Sequence, residues 1–587
     1  MKLRRNQNNM RKFLLTTVLT ASAGIAWAVP AHPGLKTIRQ PDGTEVTLAL
    51  HGDEYLNYTT TGDGYTVVKN EAGFYEYARL EGDRLVSTGC VAHDAQFRLP
   101  AERSLVNSLQ KGVHAPMSEA MKAFRNSEKT ERHNARKAAG EGRYNYDNFK
   151  GLIILVEYND CKFSRDDYVD VFSDMIKKPG FSGYMSADRI PEWVECTGSV
   201  YDYYYDNSMG VFEAHFDIIG PVQINRSMYF PVEAVNSTQL MADAVTAADK
   251  IVNFADYDTN EDGIIDMVYF VFAGPGSHYT GNDHRLLWPH SANYGNFGVK
   301  YADGVKLGRY ACSTELSGSV DDNRLEGIGT ICHEFSHVLG LEDLYDTDGA
   351  GSGGTSEMTP ELWSVMDAGC YIDDSKTPAG YSLFERFLIG FATPELIYEE
   401  GDYTLEALDT SNTGYQINSP MEREFFILEN RQRIKWNKVN PGHGLLVYKV
   451  DLTNYNAWEG NYINCDPNHN MYMLLRATGE KYDYTGTPFP GTGERTRLNN
   501  TTSPSMQTWT GRDCKLVLDN ICESEDGLIS FSVIDPTKES EVKKIDSEDV
   551  NREYYDLSGS LLGEKPEKSG IYIVKTGSVY TKEIIRK

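Results

Sequence analysis

Hydrophobic and polar positions change their period several times along this chain. From Pro30 to about Leu99, Val, Tyr, Thr and Leu alternate with polar residues through TEVTLALHGDEYLNYTTTGDGYTVVKNEAGFYEYARLEGDRLVSTG, and Gly-Asp, Asp-Gly and Ala-Gly pairs interrupt the alternation. A period of two broken by such turns predicts a meander of strands. Residues 118–139, SEAMKAFRNSEKTERHNARKAA, are charged, helix-prone and poor in apolar residues. They read as an exposed connector, either intact or cut by a trypsin-like activating protease at Arg132, Arg136 or Lys137.

At Phe149 the pattern changes. KGLIILVEY is a continuous apolar run suited to a strand buried on both faces. Strand and helix patterns then alternate to about Phe391 through SVYDYYYDNS, STQLMADAVTAADKIVNF and IDMVYFVFAG, which predicts an α/β or α+β domain. From Tyr403 to Ile534 short strands return in YTLEAL, REFFILENR, GLLVYKVD, YMLLRA, KLVLDNI and LISFSVI, the pattern of a β-sandwich-like domain. A polar linker, DPTKESEVKKIDSEDVNRE, leads to a last small β module. No repeat of 20 to 50 residues is present. The reading is therefore a multidomain α+β chain divided at 1–28, 29–143, 144–395, 396–534, 535–550 and 551–587. The length of 587 residues, at roughly 150 per domain, suggests about four domains.

Composition narrows the partners. The net charge of −28 opposes approach to nucleic acid or an anionic membrane. Lys2, Arg4, Arg5, Arg11 and Lys12 precede the apolar run FLLTTVLTASAGIAWA, and Ala26-Trp27-Ala28 supplies a small-x-small pattern before Val29. That order predicts an export signal ending at Ala28, hence a secreted or cell-surface protein. The run is short for a spanning helix of about 20 residues, and no other membrane segment is found. The nine cysteines are dispersed with no CxxC pair, so they suggest no zinc site.

The densest chemistry lies in GIGTICHEFSHVLGLEDLYDTD, residues 327–348. Over 322–339, Leu325, Ile328, Ile331, Cys332, Phe335 and Leu339 recur at steps of three and four, a core stripe that predicts a helix. His333 and His337 stand one turn apart on one face, the placement two imidazoles need to reach one zinc ion. Glu334 lies beside them, where a carboxylate takes a proton from metal-activated water. Gly340 permits a left-handed residue that ends the helix, after which Asp343 can return as third ligand. Glu357 and Glu361, on a later segment, are the alternative third ligands. Two further elements stand out. Met366 lies in the tight turn of ELWSVMDAGCY, with Tyr371 at its end. In DTNEDGIID, Asp258, Asn260, Asp262, Ile264 and Asp266 are spaced as in a calcium loop, with Tyr269 where such a loop ends in Glu. The same stretch also reads as an acidic turn before a strand.

On GIGTICHEFSHVLGLEDLYD and WSVMDAG the chain resembles the immune inhibitor A family of secreted metallopeptidases, and Met366 resembles the methionine turn of the metzincin group. GSVYDYYYDNSMG, DTNEDGIIDMVYFVFAGPG, PAGYSLFERFLIGF, REFFILENRQ and PGHGLLVYKVD extend the resemblance, and QPDGTEVTLALHGDE resembles a propeptide start. Ser336 departs from the Gly common at that place. The resemblance implies a zincin/metzincin-like catalytic domain flanked by an N-terminal β-rich prodomain and C-terminal β-sandwich-like domains. It implies a zinc-dependent endopeptidase acting on proteins or peptides, latent until residues from Val29 to about Arg143 are cut away. Substrate is expected to lie extended, paired with the strand around GVFEAHFDI. YYDLSG, SGIYIVK and KEIIRK resemble the C-terminal sorting domains of type IX secretion in Bacteroidetes; a small accessory module is the alternative. A non-catalytic surface adhesin that kept the fold is the rival reading, and Glu334 is the residue a pure binder would not need.

Overall fold

The computed structural model describes residues 29–53, 55–117, 146, 148–188, 190–230, 237–280, 283, 285–293, 301–318, 324–349, 351–538, 552–562, 565–576 and 579–585. The expected export signal, the connector over 118–139 and residues 539–550 of the linker lie outside the described residues. The chain divides into two compact units, Met1–Ile534 and Asp535–Lys587.

The period-two segment folds as expected into six antiparallel strands in sequence order: β1 (Leu35–Arg39), β2 (Glu45–Gly52), β3 (Asn57–Thr61), β4 (Thr66–Lys69), β5 (Tyr75–Glu81) and β6 (Arg84–Val91). Val46, Leu48, Val67, Tyr75 and Tyr77 pack into a small core with Val106 of helix α1 (Pro100–Val106).

A second, five-stranded sheet follows. It is built from β7 (Lys150–Glu157), β10 (His215–Gln223), β11 (Val268–Pro275), β12 (His290–Asn293) and β15 (Arg309–Leu316), in the order β10-β7-β11-β15-β12. Four strands are parallel and β12 is antiparallel to β15. Between them, β8 (Gly183–Met185) pairs with β9 (Trp193–Glu195), and β13 (Tyr301–Ala302) with β14 (Val305–Lys306). The apolar run at β7 is continuous because both faces of the strand are covered. Leu152, Ile154 and Val156 face one core with Leu240, Met241 and Val245 of α4 (Ser237–Ala248). Ile153 and Leu155 face another with residues of α2 (Tyr168–Lys177), α3 (Val200–Asn207) and α5 (Gly329–Leu339).

That second core continues past residue 395, where the sequence suggested a boundary. The sheet β16-β18-β19-β20-β21 comprises Glu395–Ile397, Tyr415–Asn418, Glu424–Arg431, Gly444–Asp451 and Tyr472–Leu474. Phe425 and Ile427 of β19, with Leu446, Tyr448 and Val450 of β20, join the core that holds α5. Their alternate neighbours Phe426, Leu428, Leu445 and Val447 point the other way, onto the sheet β17 (Gly401–Leu405), β23 (Ile529–Ile534) and β22 (Val517–Glu523). These two sheets make the sandwich that the strand pattern predicts. Short helices α6 (Leu383–Leu388), α7 (Leu408–Ser411) and α8 (Tyr455–Glu459) fill its connections. The second unit holds a three-stranded antiparallel sheet, β24 (Arg552–Tyr555), β25 (Gly570–Thr576) and β26 (Val579–Ile585).

A buried polar knot fastens the sandwich to the α5 side. Glu429 takes the Arg431 guanidinium at 2.6 Å and the Leu383 amide at 2.6 Å, while Arg431 also donates to Gly380 O at 3.0 Å and Asn437 Oδ1 at 2.9 Å. Both charged side chains are fully buried. Removing one partner strands the other in a dry core, which costs roughly 3–5 kcal/mol. Arg431→Met is therefore expected to lower unfolding stability by about that amount in urea titration, and a loss under about 1 kcal/mol would contradict the role given to the pair.

Candidate metal centre

Helix α5 starts at Gly329, not at 322 as its apolar stripe suggested. The preceding residues are drawn into strand-like pairing with β15: Ser317 N donates to Arg324 O at 3.0 Å and Glu326 N to Glu315 O at 2.8 Å. Gly329 is required by close approach, since a Cβ there would meet Cys370 O at 1.8 Å. All eleven residues of the helix are buried, because one side meets the central sheet and the other the core shared with β19 and β20. The helix ends at Gly340, whose φ of 110° lies in the left-handed region, and Leu341 N closes the turn on Ser336 O at 3.1 Å.

The turn brings Asp343 back to the two histidines. His333 Nε2 and His337 Nε2 are 3.0 Å apart, and Asp343 Oδ1 lies 3.1 and 3.3 Å from them. The other ring nitrogens settle the tautomers. His333 Nδ1 faces Val365 O at 2.7 Å and His337 Nδ1 faces Leu341 O at 3.0 Å. A carbonyl only accepts, so each Nδ1 carries the proton and each Nε2 presents a lone pair. Burial pushes the His337 imidazole down to about 3, leaving it neutral at neutral pH. Asp343 Oδ1 is buried and receives no hydrogen bond. Two lone pairs and a carboxylate oxygen thus converge without a proton among them, an arrangement that a divalent cation satisfies and that nitrogen–oxygen ligation suits to zinc.

The methionine turn supports this cluster through its backbone. Val365 O orients His333, and Met366 O accepts Leu344 N at 2.9 Å, beside the returning Asp343. Met366 itself is fully buried. Ser336 points away from the ligands, donating to Cys332 O at 2.6 Å and meeting the hydroxyls of Tyr381 and Tyr204.

Glu334 is buried, and Oε1 accepts a hydrogen bond from the backbone nitrogen of Val29 at 2.8 Å. Burial, then the nearby Asp343 charge, push its carboxyl well above the usual range. The residues after Val29 are held in sequence. Trp288 Nε1 donates to Val29 O at 2.9 Å and the Tyr371 hydroxyl to Pro30 O at 2.6 Å. His32 N donates to His278 O at 3.1 Å, and the His32 ring lies 4.8 Å from Tyr279 and 5.0 Å from Tyr371. Tyr371 therefore holds this segment's carbonyl.

A family model for the catalytic domain of immune inhibitor A, peptidase M6, matches residues 135–386. That segment is thus similar to the peptidase M6 catalytic domain, and it contains the three converging side chains and Glu334. Pre-pro-metalloprotease PrtV of Vibrio cholerae serotype O1 is 27% identical over 161 residues, covering 23% of this chain and 16% of that protein. Immune inhibitor A of Bacillus thuringiensis subsp. alesti is 24% identical over 253 residues, covering 38% of this chain and 33% of that protein. The matches span a third or less of either relative's length.

The alternative ligands pair elsewhere: Glu361 is 3.1 Å from Arg476, and Glu357 pairs with Lys481. The acidic loop after α4 folds on itself. Asp258 Oδ1 and Oδ2 accept the amides of Asp262 and Gly263 at 3.0 and 2.9 Å, Asp262 Oδ1 accepts Ile264 N at 2.8 Å, and Asp266 takes the Thr259 hydroxyl. Burial, first of all, pushes Asp266 up to about 6. Among the described residues, the side chains that converge as a metal site are His333, His337 and Asp343, and a second group, Asp346, Asp348 and Cys465; Asp258, Asn260, Asp262 and Asp266 do not. β10, the strand expected to pair with substrate, lies at the sheet edge opposite β12, while the segment over Glu334 contacts Trp288 just before β12. Val29 follows the small-x-small pattern, whereas Trp288 and His278 carry no local motif and could not be found from sequence pattern.

His337→Ala removes one of two facing nitrogens and leaves Asp343 half-coordinated. Elemental analysis of the purified chain is expected to fall from one zinc per chain to near none, and full occupancy in the variant would refute this ligand set.

Proposed function

We propose that the chain is a secreted zinc-dependent endopeptidase made as a proenzyme. The observation that carries the reading is the Val29 nitrogen on Glu334, the acid/base candidate, beside the three converging ligands. His333, His337 and Asp343 would hold the zinc, which when bound supplies a polarised scissile carbonyl and an acidified water. Glu334 takes the proton from that water and returns it to the leaving nitrogen. The Val29 nitrogen lies 2.8 Å from Glu334 Oε1, where a leaving amine must lie to receive that proton. Residues 29–32 thus run as the leaving side of a substrate would. Trp288, Tyr371 and His278 hold its main chain at Val29 O, Pro30 O and His32 N.

With the export signal removed after Ala28, no residue precedes Val29 for the enzyme to cut, and the segment occupies the site as a dead-end ligand. This supports the β1–β6 meander as a prodomain. Ala31 N donates to Gly52 O at 2.7 Å and Lys36 Nζ to Tyr279 O at 2.6 Å, so the meander fixes the segment over the site. Secretion draws support from the basic-then-apolar leader and from a relative named a pre-pro-metalloprotease. Among the described residues no helix is long and apolar enough to cross a membrane. The C-terminal unit is read as a type IX sorting module on its sequence.

Two arms test this. Full-length chain cut in the connector is expected to digest casein, and a zinc chelator should abolish that digestion; chelator-resistant proteolysis would exclude the mechanism. In the same cut chain Glu334→Gln should keep its zinc yet lose about 10²–10⁴ in rate, and wild-type proteolysis by it would remove Glu334 from the reaction.

A further inference from the structure

We propose that Asn461 is the positioning residue for the third metal ligand, so that the loop 461–465 of the sandwich region completes the metal centre. The inference rests on reading His333, His337 and Asp343 as that centre.

Asn461 grips Asp343 at two points. Its Nδ2 donates to Asp343 Oδ2 at 2.6 Å, and its Oδ1 accepts the Asp343 amide at 2.9 Å. One amide side chain therefore fixes both the backbone and the carboxylate plane of the ligand. The oxygen it engages is the one turned away from the histidines. Oδ1, which receives no hydrogen bond, is left aimed at the two Nε2 atoms. A side chain with one donor and one acceptor at this spacing is what the task needs. Aspartate would set a second carboxylate against Oδ2, and leucine would leave Oδ2 and the Asp343 amide unpaired in a dry site.

The surrounding contacts hold Asn461 itself. It is 2% exposed and has a left-handed φ of 53°, a conformation that asparagine adopts more readily than most residues. Its carbonyl accepts the Thr347 hydroxyl. Three residues on, Asn464 Nδ2 donates to Leu344 O at 2.6 Å, and Asn464 Oδ1 accepts Tyr472 N of β21 at 3.0 Å. The ligand loop is thus stapled at Asp343, Leu344 and Thr347 to a segment anchored on β21, an edge of the β16-β18-β19-β20-β21 sheet. Outer partners of this kind typically tune metal affinity by 10–100-fold.

A double-mutant cycle on the full-length chain tests this, reading metal affinity by chelator competition and ligand geometry by the visible spectrum of the cobalt(II) form. Asn461→Gly removes the side chain and tolerates the left-handed backbone. It is expected to weaken metal binding 10–100-fold and to shift the cobalt bands, while in an Asp343→Ala background it should change affinity less than twofold. Asn461→Asp, which keeps size and backbone preference, should shift the cobalt bands as well. It stands in if the glycine variant does not match wild type by far-ultraviolet circular dichroism. Wild-type affinity and bands in both Asn461 variants, or an equal loss with and without Asp343, would overturn the proposal. Unchanged affinity in Asp343→Ala alone would instead overturn the metal centre on which it rests.

Discussion

The site depends on three electron-pair donors held against one another in a dry place. Left without a cation, Asp343 Oδ1 and the two Nε2 atoms would repel, and each would forfeit the hydration it had in the unfolded chain. The chain nevertheless commits them there. Val365 O and Leu341 O fix the histidine tautomers, and Gly340 turns the backbone so that Asp343 can come no other way. A metal ion that offsets this cost binds the folded state alone, so ion binding and folding of this region are one equilibrium. The burial of every α5 residue follows from the same demand, since solvent at the helix would weaken each interaction that fixes the rings.

Glu334 is subject to a related constraint. A carboxylate deep in the same pocket needs a donor, and the one present on Oε1 is the Val29 nitrogen, which comes from 305 residues earlier in the chain. On the proposed reading, latency and chemistry share this one hydrogen-bond position: a substrate's leaving nitrogen and the Val29 nitrogen would compete for the same oxygen. Cutting the connector would turn an intramolecular ligand into one that dilutes away. The meander contributes by aiming, because its strands hold the four residues that reach the site.

What the sequence disclosed follows from the range of the interactions. His333, Glu334, His337, Gly340 and Asp343 lie within one helix and one turn, so their spacing alone implies their geometry. The strands of the meander and sandwich were legible because a sheet with one or two covered faces imposes its period on the residues. The helix start was misjudged because residues 324–326 fit a helical stripe locally but are taken by pairing with β15, a tertiary contact that outweighs propensity. The acidic loop has a calcium loop's spacing, and its side-chain oxygens accept amides of the same loop. Trp288 and Asn461 meet their partners 259 and 118 residues away, and nothing in their neighbourhoods marks them.

The same contacts bear on where the working unit ends. The family match stops at residue 386, and the strand pattern changes near 395, so sequence invites a cut there. Physically that cut passes through a core. Arg386 is fully buried, and its charge is met by Asp409 at 2.8 Å, beyond the matched region. Phe335 on α5 shares a core with Ile427 of β19 and Tyr448 of β20. Exposing that face would uncover apolar surface and a buried guanidinium together, and would release the loop that grips Asp343. The matched segment carries His333, Glu334, His337 and Asp343, whereas the groups that hold them in register come from both sides of residue 395. The metal-ligand cluster is folded by a larger unit than the one its motif defines.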